Sequence, residues 1–178
     1  MDDREAIFAD LPAPGRKGRP PQPQAPLPSL TTEAQWVLFT ERFQELGGRM
    51  GTLADVDFIL SRTHILDHEA ASRLGRAPGG LPVWEAEVGV TTADLAIAET
   101  GSLLLATGPG RPRMVSLSPM IHVVLVPRDR IVATLAEAFA RLSDRTTVMI
   151  SGPSRTADIE GVLVRGVHGP GEIIVVPI

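Results

Sequence analysis

The chain has no cysteine and no tyrosine, and aromatic residues make up only 4% of its 178 positions. The absence of Cys excludes a disulfide framework, a thiolate zinc site, a cysteine-ligated iron–sulfur cluster and a Cys nucleophile. Long hydrophobic runs are also missing. The longest strictly apolar runs are short, such as Val123–Val126, far below the ~20 residues a bilayer span needs. There is no basic excess: 17 Lys+Arg stand against 21 Asp+Glu, a net charge of -4, which argues against nucleic-acid binding. The start, Met-Asp-Asp-Arg-Glu, lacks the cationic and apolar blocks of a secretory leader. A cytoplasmic protein without a membrane span is the expectation. What the chain does have is 43% hydrophobic residues, enough to bury a core without staples and too many for a wholly disordered chain. Its length suits one domain.

Proline is unevenly placed, with seven of the 16 between Pro12 and Pro28. Proline fixes φ and offers no amide donor, so this stretch cannot join a helix or a sheet ladder. The sequence therefore divides into a Pro-rich, flexible or extended arm over 1–29 and an α/β domain over 30–178. The arm reads as a leader, a strap along a neighbouring subunit, or a polyproline ligand.

Within the domain, Thr31–Leu46 has helical spacing. Thr32 and Gln35 match a capping box, Trp36, Phe39, Phe43 and Leu46 make one apolar face, and Gly47-Gly48 ends it. Val56–Leu60 is a short strand or helix, and Asp67–Leu74 a helical turn. Ala93–Ala98 and Ser102–Ala106 read as strands around the turn Glu99-Thr100-Gly101. Ile121–Val126 is a β-branched run of the kind buried on both faces of a sheet. Asp129 is placed to cap a helix carrying Val132, Leu135, Phe139 and Leu142. Thr146–Ile150 reads as another buried strand, Arg155 to about Val164 as a short helix, and Ile173–Val176 as a last strand. This order predicts a mostly parallel sheet flanked by helices, with an antiparallel hairpin element near Glu99.

Four segments have residue types suited to chemistry. In Ser151–Glu160, Gly152 allows close backbone approach, Ser154 caps the expected helix, and Arg155 adds a cation, which together suit a carboxylate or phosphate. Thr156, Asp158 and Glu160 lie beside them. A capped helix with acids in its first turn is the plainer reading. Glu99, ahead of Thr100 and Gly101 at a strand end, is a candidate nucleophile or base, or else part of an ordinary polar turn. His122 is a candidate proton donor, or a core histidine satisfied by the backbone. His168, among three glycines, sits in a loop that can approach a ligand, or is simply solvated. His64 and His68, with Asp67 and Glu69 beside them, lack a third ligand in a clear pattern, so no metal site is expected.

Glu87–Ser102 resembles the central motif of the LUD-domain, LutC-type lactate utilization proteins. So do Ser116–Val123, Gly152–Glu160 and Gly166–Pro170, in the same order, over roughly residues 83–178. The resemblance implies the NagB/RpiA/CoA-transferase-like fold, whose members act on phosphosugars, acyl-CoA carboxylates or folates. It implies a role with two iron–sulfur partners, LutA-like and LutB-like, in oxidising L-lactate to pyruvate. No cofactor is then expected on this chain, the clusters residing on the partners. Residue by residue, Glu99, Thr100 and Gly101 match the family's Ala-Glu-Thr-Gly turn. Gly152, Ser154, Arg155, Thr156, Asp158 and Glu160 match its Gly-Pro-Ser-Arg-Thr-Ala-Asp-Ile-Glu run, and His122 and His168 its two histidine segments. The resulting expectation is a small carboxylate or phosphorylated ligand held by Arg155, with Glu99, His122 and His168 around it. The other readings are a non-catalytic assembly subunit and an independent isomerase, transferase or folate ligase. A homo-oligomer is compatible with all of them.

Overall fold

The β-branched run Ile121–Val126 forms the centre of a five-stranded parallel sheet in the computed structural model, which describes residues 30–142, 144–157 and 163–178. The strands are β1 (Arg49–Met50), β2 (His64–Leu66), β3 (Val88–Thr92), β6 (Ile121–Val126) and β11 (Glu172–Pro177), ordered β1-β11-β6-β3-β2. The register sets Val123 beside Val90 and Ile174. Alternation then sends one set of side chains to each face.

On one face, Val88, Val90, Val123, Leu125, Ile174 and Val176 pack against α2 (Leu53–Ile59) and α3 (His68–Leu74). Thr52 and Asp55 cap α2 reciprocally, and Asp67 caps α3. The stretch 49–82 therefore supplies both edge strands and both helices of this face, and Val56–Leu60 resolves as helix. On the other face, Val124, Val126, Ile173 and Val175 meet Trp36, Phe39 and Phe43 of α1 (Thr32–Glu45). The cap of α1 is Thr31, which accepts from the Ala34 amide, rather than Thr32; Gln35 instead reaches the Leu30 carbonyl.

A second sheet completes that layer. It is ordered β7-β4-β5-β8, from Ile131–Val132, Leu95–Ile97, Ser102–Ala106 and Thr147–Ile150. The expected hairpin is there: β4 and β5 pair antiparallel across Glu99-Thr100-Gly101. Three expectations fail. Ile131–Val132 is not helical but pairs in parallel with β4, and the helix is the shorter α5 (Leu135–Ala140), capped by Thr134 rather than Asp129. Thr147–Ile150 is an edge strand with Met149 exposed, not a buried one. Arg155–Ala157 is strand β9, pairing antiparallel with β10 (Leu163–Arg165), so no helix begins at Arg155. A short α4 (Met114–Leu117) covers Gly89 of β3, where a Cβ would collide with the Val115 carbonyl. No described helix is long and apolar enough to cross a membrane. The Pro-rich stretch 1–29 and the site candidates Asp158 and Glu160 lie outside the described residues.

Candidate functional site

Three separated segments are drawn to the carboxyl end of α1. Gly101, at φ +63°, lies so near α1 that a Cβ there would stand 2.5 Å from the Phe43 nitrogen. Gly152, at φ +93°, lies against the Leu46 carbonyl in the same way. Ser102 and Ser151 join the two turns through a hydroxyl contact of 2.7 Å. The Ser154 amide donates to the Pro170 carbonyl at 2.9 Å, and the Gly166 amide to the Ser154 carbonyl at 3.1 Å, which brings in the loop of His168. Turns with positive-φ glycines let backbone approach backbone here.

Arg155 and Arg165 are directly opposed across the β9–β10 pair, and both guanidinium groups lie over Gly47. Arg155 donates to the Leu46 carbonyl, one of the acceptors that a helix end leaves open. Both arginines are exposed, and neither has an ion-pair partner among the described residues. Like charges directly opposed on a sheet repel, and an anion between them would relieve that repulsion. The rationale for anion binding therefore changes from a helix amino end, which is not there, to two facing guanidinium groups.

The candidate acid–base residues are placed differently. Glu99 accepts from the Leu135 amide at 2.9 Å, fastening the first turn of α5 to the β4–β5 turn. Thr100 buries its hydroxyl without a hydrogen-bond partner among the described residues. His122 is wholly buried, with Nε2 2.8 Å from the Thr91 hydroxyl. Burial pushes its pKa down to about 3, so near pH 7 it is neutral and held in the core against Thr91. His168 is exposed, and Thr156 is half-buried opposite Val164. His64 turns to the Arg62 carbonyl, and among the described residues no group of three or more His, Asp or Glu is placed to hold a metal ion.

A second polar cluster lies at the carboxyl ends of β2 and β3, where ligands of open α/β sheets usually gather. Arg111, only 12% exposed at its side chain, holds Asp94 in a two-point contact of 2.7 and 2.8 Å. It also donates to the Thr92 carbonyl and approaches Asp67 and Glu69 at 3.8 and 3.7 Å. Arg130 pairs with Glu69 at 2.9 Å. Burial raises the pKa of Asp67, opposed by amide bonds from Ala70 and Thr92 and by Arg111. Burial also works against the charge on Arg111, but the hydrogen bond and field of Asp94, with Asp67 and Glu69, raise its pKa on balance. The recess beside Arg111, Asp67, Thr91 and Ser116 has about 10 Å³ of room, enough for about one water and too little for an organic acid.

The model of the LUD domain matches residues 83–178, more than half of the chain. This chain belongs to the LUD-domain family. Lactate utilization protein C of Shouchella clausii is 39% identical over 93 residues, covering 48% of this chain and 41% of that protein. Lactate utilization protein C of Bacillus subtilis is 35% identical over 115 residues, covering 51% and 48%. The chain thus spans less than half the length of these relatives. A crystal structure of a DUF162 family protein from Deinococcus radiodurans matches with a TM-score of 0.59 at 21% identity, covering 83% of this chain and 98% of that one. That likeness shows the fold.

The LUD match holds Arg155, Arg165, His168 and Arg111, but not α1, Asp67 or Glu69. The end of α1 and the caps of α3 are therefore assembled around the LUD segment from residues outside it. Arg111 is the residue that sequence reasoning missed. It sits in a Gly/Pro loop, Gly108-Pro109-Gly110-Arg111-Pro112, where nothing local distinguishes it from a solvated arginine. Asp94, 17 positions earlier, gave the only hint.

For Glu99 the structure separates two roles. Glu99→Ala removes a bond to a helix amide and is expected to cost about 0.5–2 kcal/mol, as loss of a cap does. Glu99→Gln keeps an acceptor oxygen and is expected to recover most of that in urea unfolding. Loss of ligand binding in the Gln variant with stability intact would return Glu99 to a direct role.

Proposed function

We propose that this LUD domain is a LutC-like protein of L-lactate utilization that holds a small carboxylate between Arg155 and Arg165. The facing arginines carry the reading: two planar forks suit a carboxylate, which accepts paired hydrogen bonds from such donors. The names of the relatives supply the pathway. Oxidation of L-lactate to pyruvate releases electrons, and a chain without cysteine has no thiolates to ligate an iron–sulfur cluster. LutA-like and LutB-like iron–sulfur partners would take those electrons, in the cytoplasm.

A second reading has a specific observation behind it. Glu99 is committed to α5 and His122 to the core, which leaves His168 as the exposed titratable group of the three. This favours a non-catalytic subunit that binds the acid or its partners over an independent isomerase, transferase or ligase.

Calorimetric titration of L-lactate and pyruvate into the full chain tests the site. Arg155→Ala and Arg165→Ala are each expected to weaken binding at least about tenfold, in line with about 1.5–3 kcal/mol for a hydrogen bond to a charged group. Unchanged affinity in both variants would place the carboxylate elsewhere.

A further inference from the structure

The two sheets do not use all their surfaces. The inner face of the second sheet joins the core of α1, while its outer face, with Leu95, Ile97, Leu104 and Val132, meets Leu135 and Ala138 of α5 in a small separate cluster. Beside that cluster is a cavity of about 360 Å³, within the ~300–1,000 Å³ usual for ligand pockets. We propose that it is a second binding site, separate from the Arg155/Arg165 pair, for a small carboxylate with an apolar tail.

Its floor is apolar. Leu95 and Leu104 are cross-strand partners in the β4–β5 register, and both line it. Leu142, just beyond α5, forms a wall. At the rim stand Arg130 and Arg141. Arg130 directs Nη1 to the Ala93 carbonyl and to Glu69. Arg141 is exposed and has no ion-pair partner among the described residues.

The one acid in the lining, Asp94, does not cancel this charge. Both of its oxygens are occupied, Oδ1 by Arg111 and Oδ2 by Arg111 and the Ala106 amide. Around the pocket, Asp67, Glu69 and Asp94 are matched by Arg73, Arg111 and Arg130. Arg141 remains as the surplus cation, which selects an anionic head group.

The apolar floor selects the rest of the ligand. Inorganic phosphate and three-carbon acids have too little apolar surface to cover Leu95 and Leu142, the partly exposed leucines of the lining, and burial of such surface supplies the main gain. A nucleotide is disfavoured because no aromatic ring among the described residues lines the cavity for a base to stack on. A straight or branched acyl or 2-oxoacyl carboxylate meets both requirements.

The test is titration of hexanoate, 2-oxohexanoate, L-lactate and inorganic phosphate into the full chain and two variants. Hexanoate and 2-oxohexanoate are expected to bind the native chain more tightly than L-lactate or phosphate does at this pocket. Arg141→Glu is expected to weaken them at least about tenfold, roughly 1.4 kcal/mol, while Arg155→Ala leaves them unchanged. Arg141 is on the surface, so an unaltered thermal midpoint will show that the variant folds. No binding of either acyl acid at about 10 mM, equal affinity in Arg141→Glu, or loss in Arg155→Ala instead would overturn the proposal. The Arg155/Arg165 reading fails independently, through L-lactate and pyruvate.

Discussion

Arg111→Ala is expected to cost the domain about 3–5 kcal/mol at neutral pH, the usual cost of leaving a buried charge without its partner. The guanidinium makes two bonds to Asp94 and one to the Thr92 carbonyl. It also lies near Asp67, whose side chain is only 3% exposed. Removing it leaves two carboxylates and a carbonyl at the ends of β2 and β3 with fewer donors. Arg111→Lys keeps the charge but not the two-point fork, so its loss should be intermediate.

The pH dependence tests the share of this loss that passes through Asp67. Burial raises the pKa of Asp67 in the fold, and Arg111 opposes the rise. A carboxyl whose pKa is higher folded than unfolded holds its proton better in the fold. Its contribution is favourable below the ordinary carboxylate range and is lost as pH rises through the folded value. Without Arg111 that folded value moves further up. The deficit of Arg111→Ala against the native chain should thus narrow toward pH 4 and widen toward pH 7. Urea midpoints of both proteins across this range measure it. A deficit independent of pH would mean that Arg111 does not act through the ionisation of Asp67.

How legible this was in the sequence depended on the range of the deciding interaction. Ile121–Val126 announces a central strand because its β-branched residues are locally consistent with burial on both faces. The Glu99–Gly101 turn was legible for the same reason, since strand, turn and strand are contiguous. Arg155–Val164 misled because Ser154 is a good local cap and acids follow it. Thr156 and Val164 are β-branched, however, and pair across strands, a preference that tertiary contact decides. Asp129 is a good local cap, but the helix is capped five positions later by Thr134. Thr134 prevails because Ile131–Val132 is drawn into an edge of the second sheet by the Ala96 and Ala98 amides, which bond to the Arg130 and Val132 carbonyls.

The candidate site was legible as segments but not as a place. The motifs around Gly101, Gly152 and His168 were each visible, and α1 gathers them. That Leu46 and Gly47 would be their meeting point depends on contacts more than a hundred positions apart, such as Arg155 with Leu46. The facing of Arg155 and Arg165 requires the strand register, which a helical reading hides. His122 was visible as a titratable group, but its burial was not, because a histidine entering an apolar strand looks the same whether its neighbour is a ligand or Thr91.

That burial gives His122 the other large expected effect. Unfolded, the imidazole has a pKa near ~6.5; folded, burial pushes it down to about 3. The unfolded chain therefore takes up a proton over this window that the fold refuses. The contribution of His122 is complete above about pH 6.5 and is lost as pH falls toward the folded value. At about 1.4 kcal/mol per pH unit, lowering the pH from about 6.5 to about 4.5 should remove roughly 2–3 kcal/mol. Asp67 works in the opposite direction at the acid end, so the net slope is shallower than that of His122 alone. His122→Gln keeps a group able to bond the Thr91 hydroxyl but does not titrate. Its urea midpoint should fall less steeply with pH than that of the native chain, by the share assigned to His122. Imidazole resonances of the native chain should show His122 neutral down to about pH 4. A titration of His122 near neutrality would mean that the core opens to it, and would restore it as a proton donor to a ligand beside Thr91.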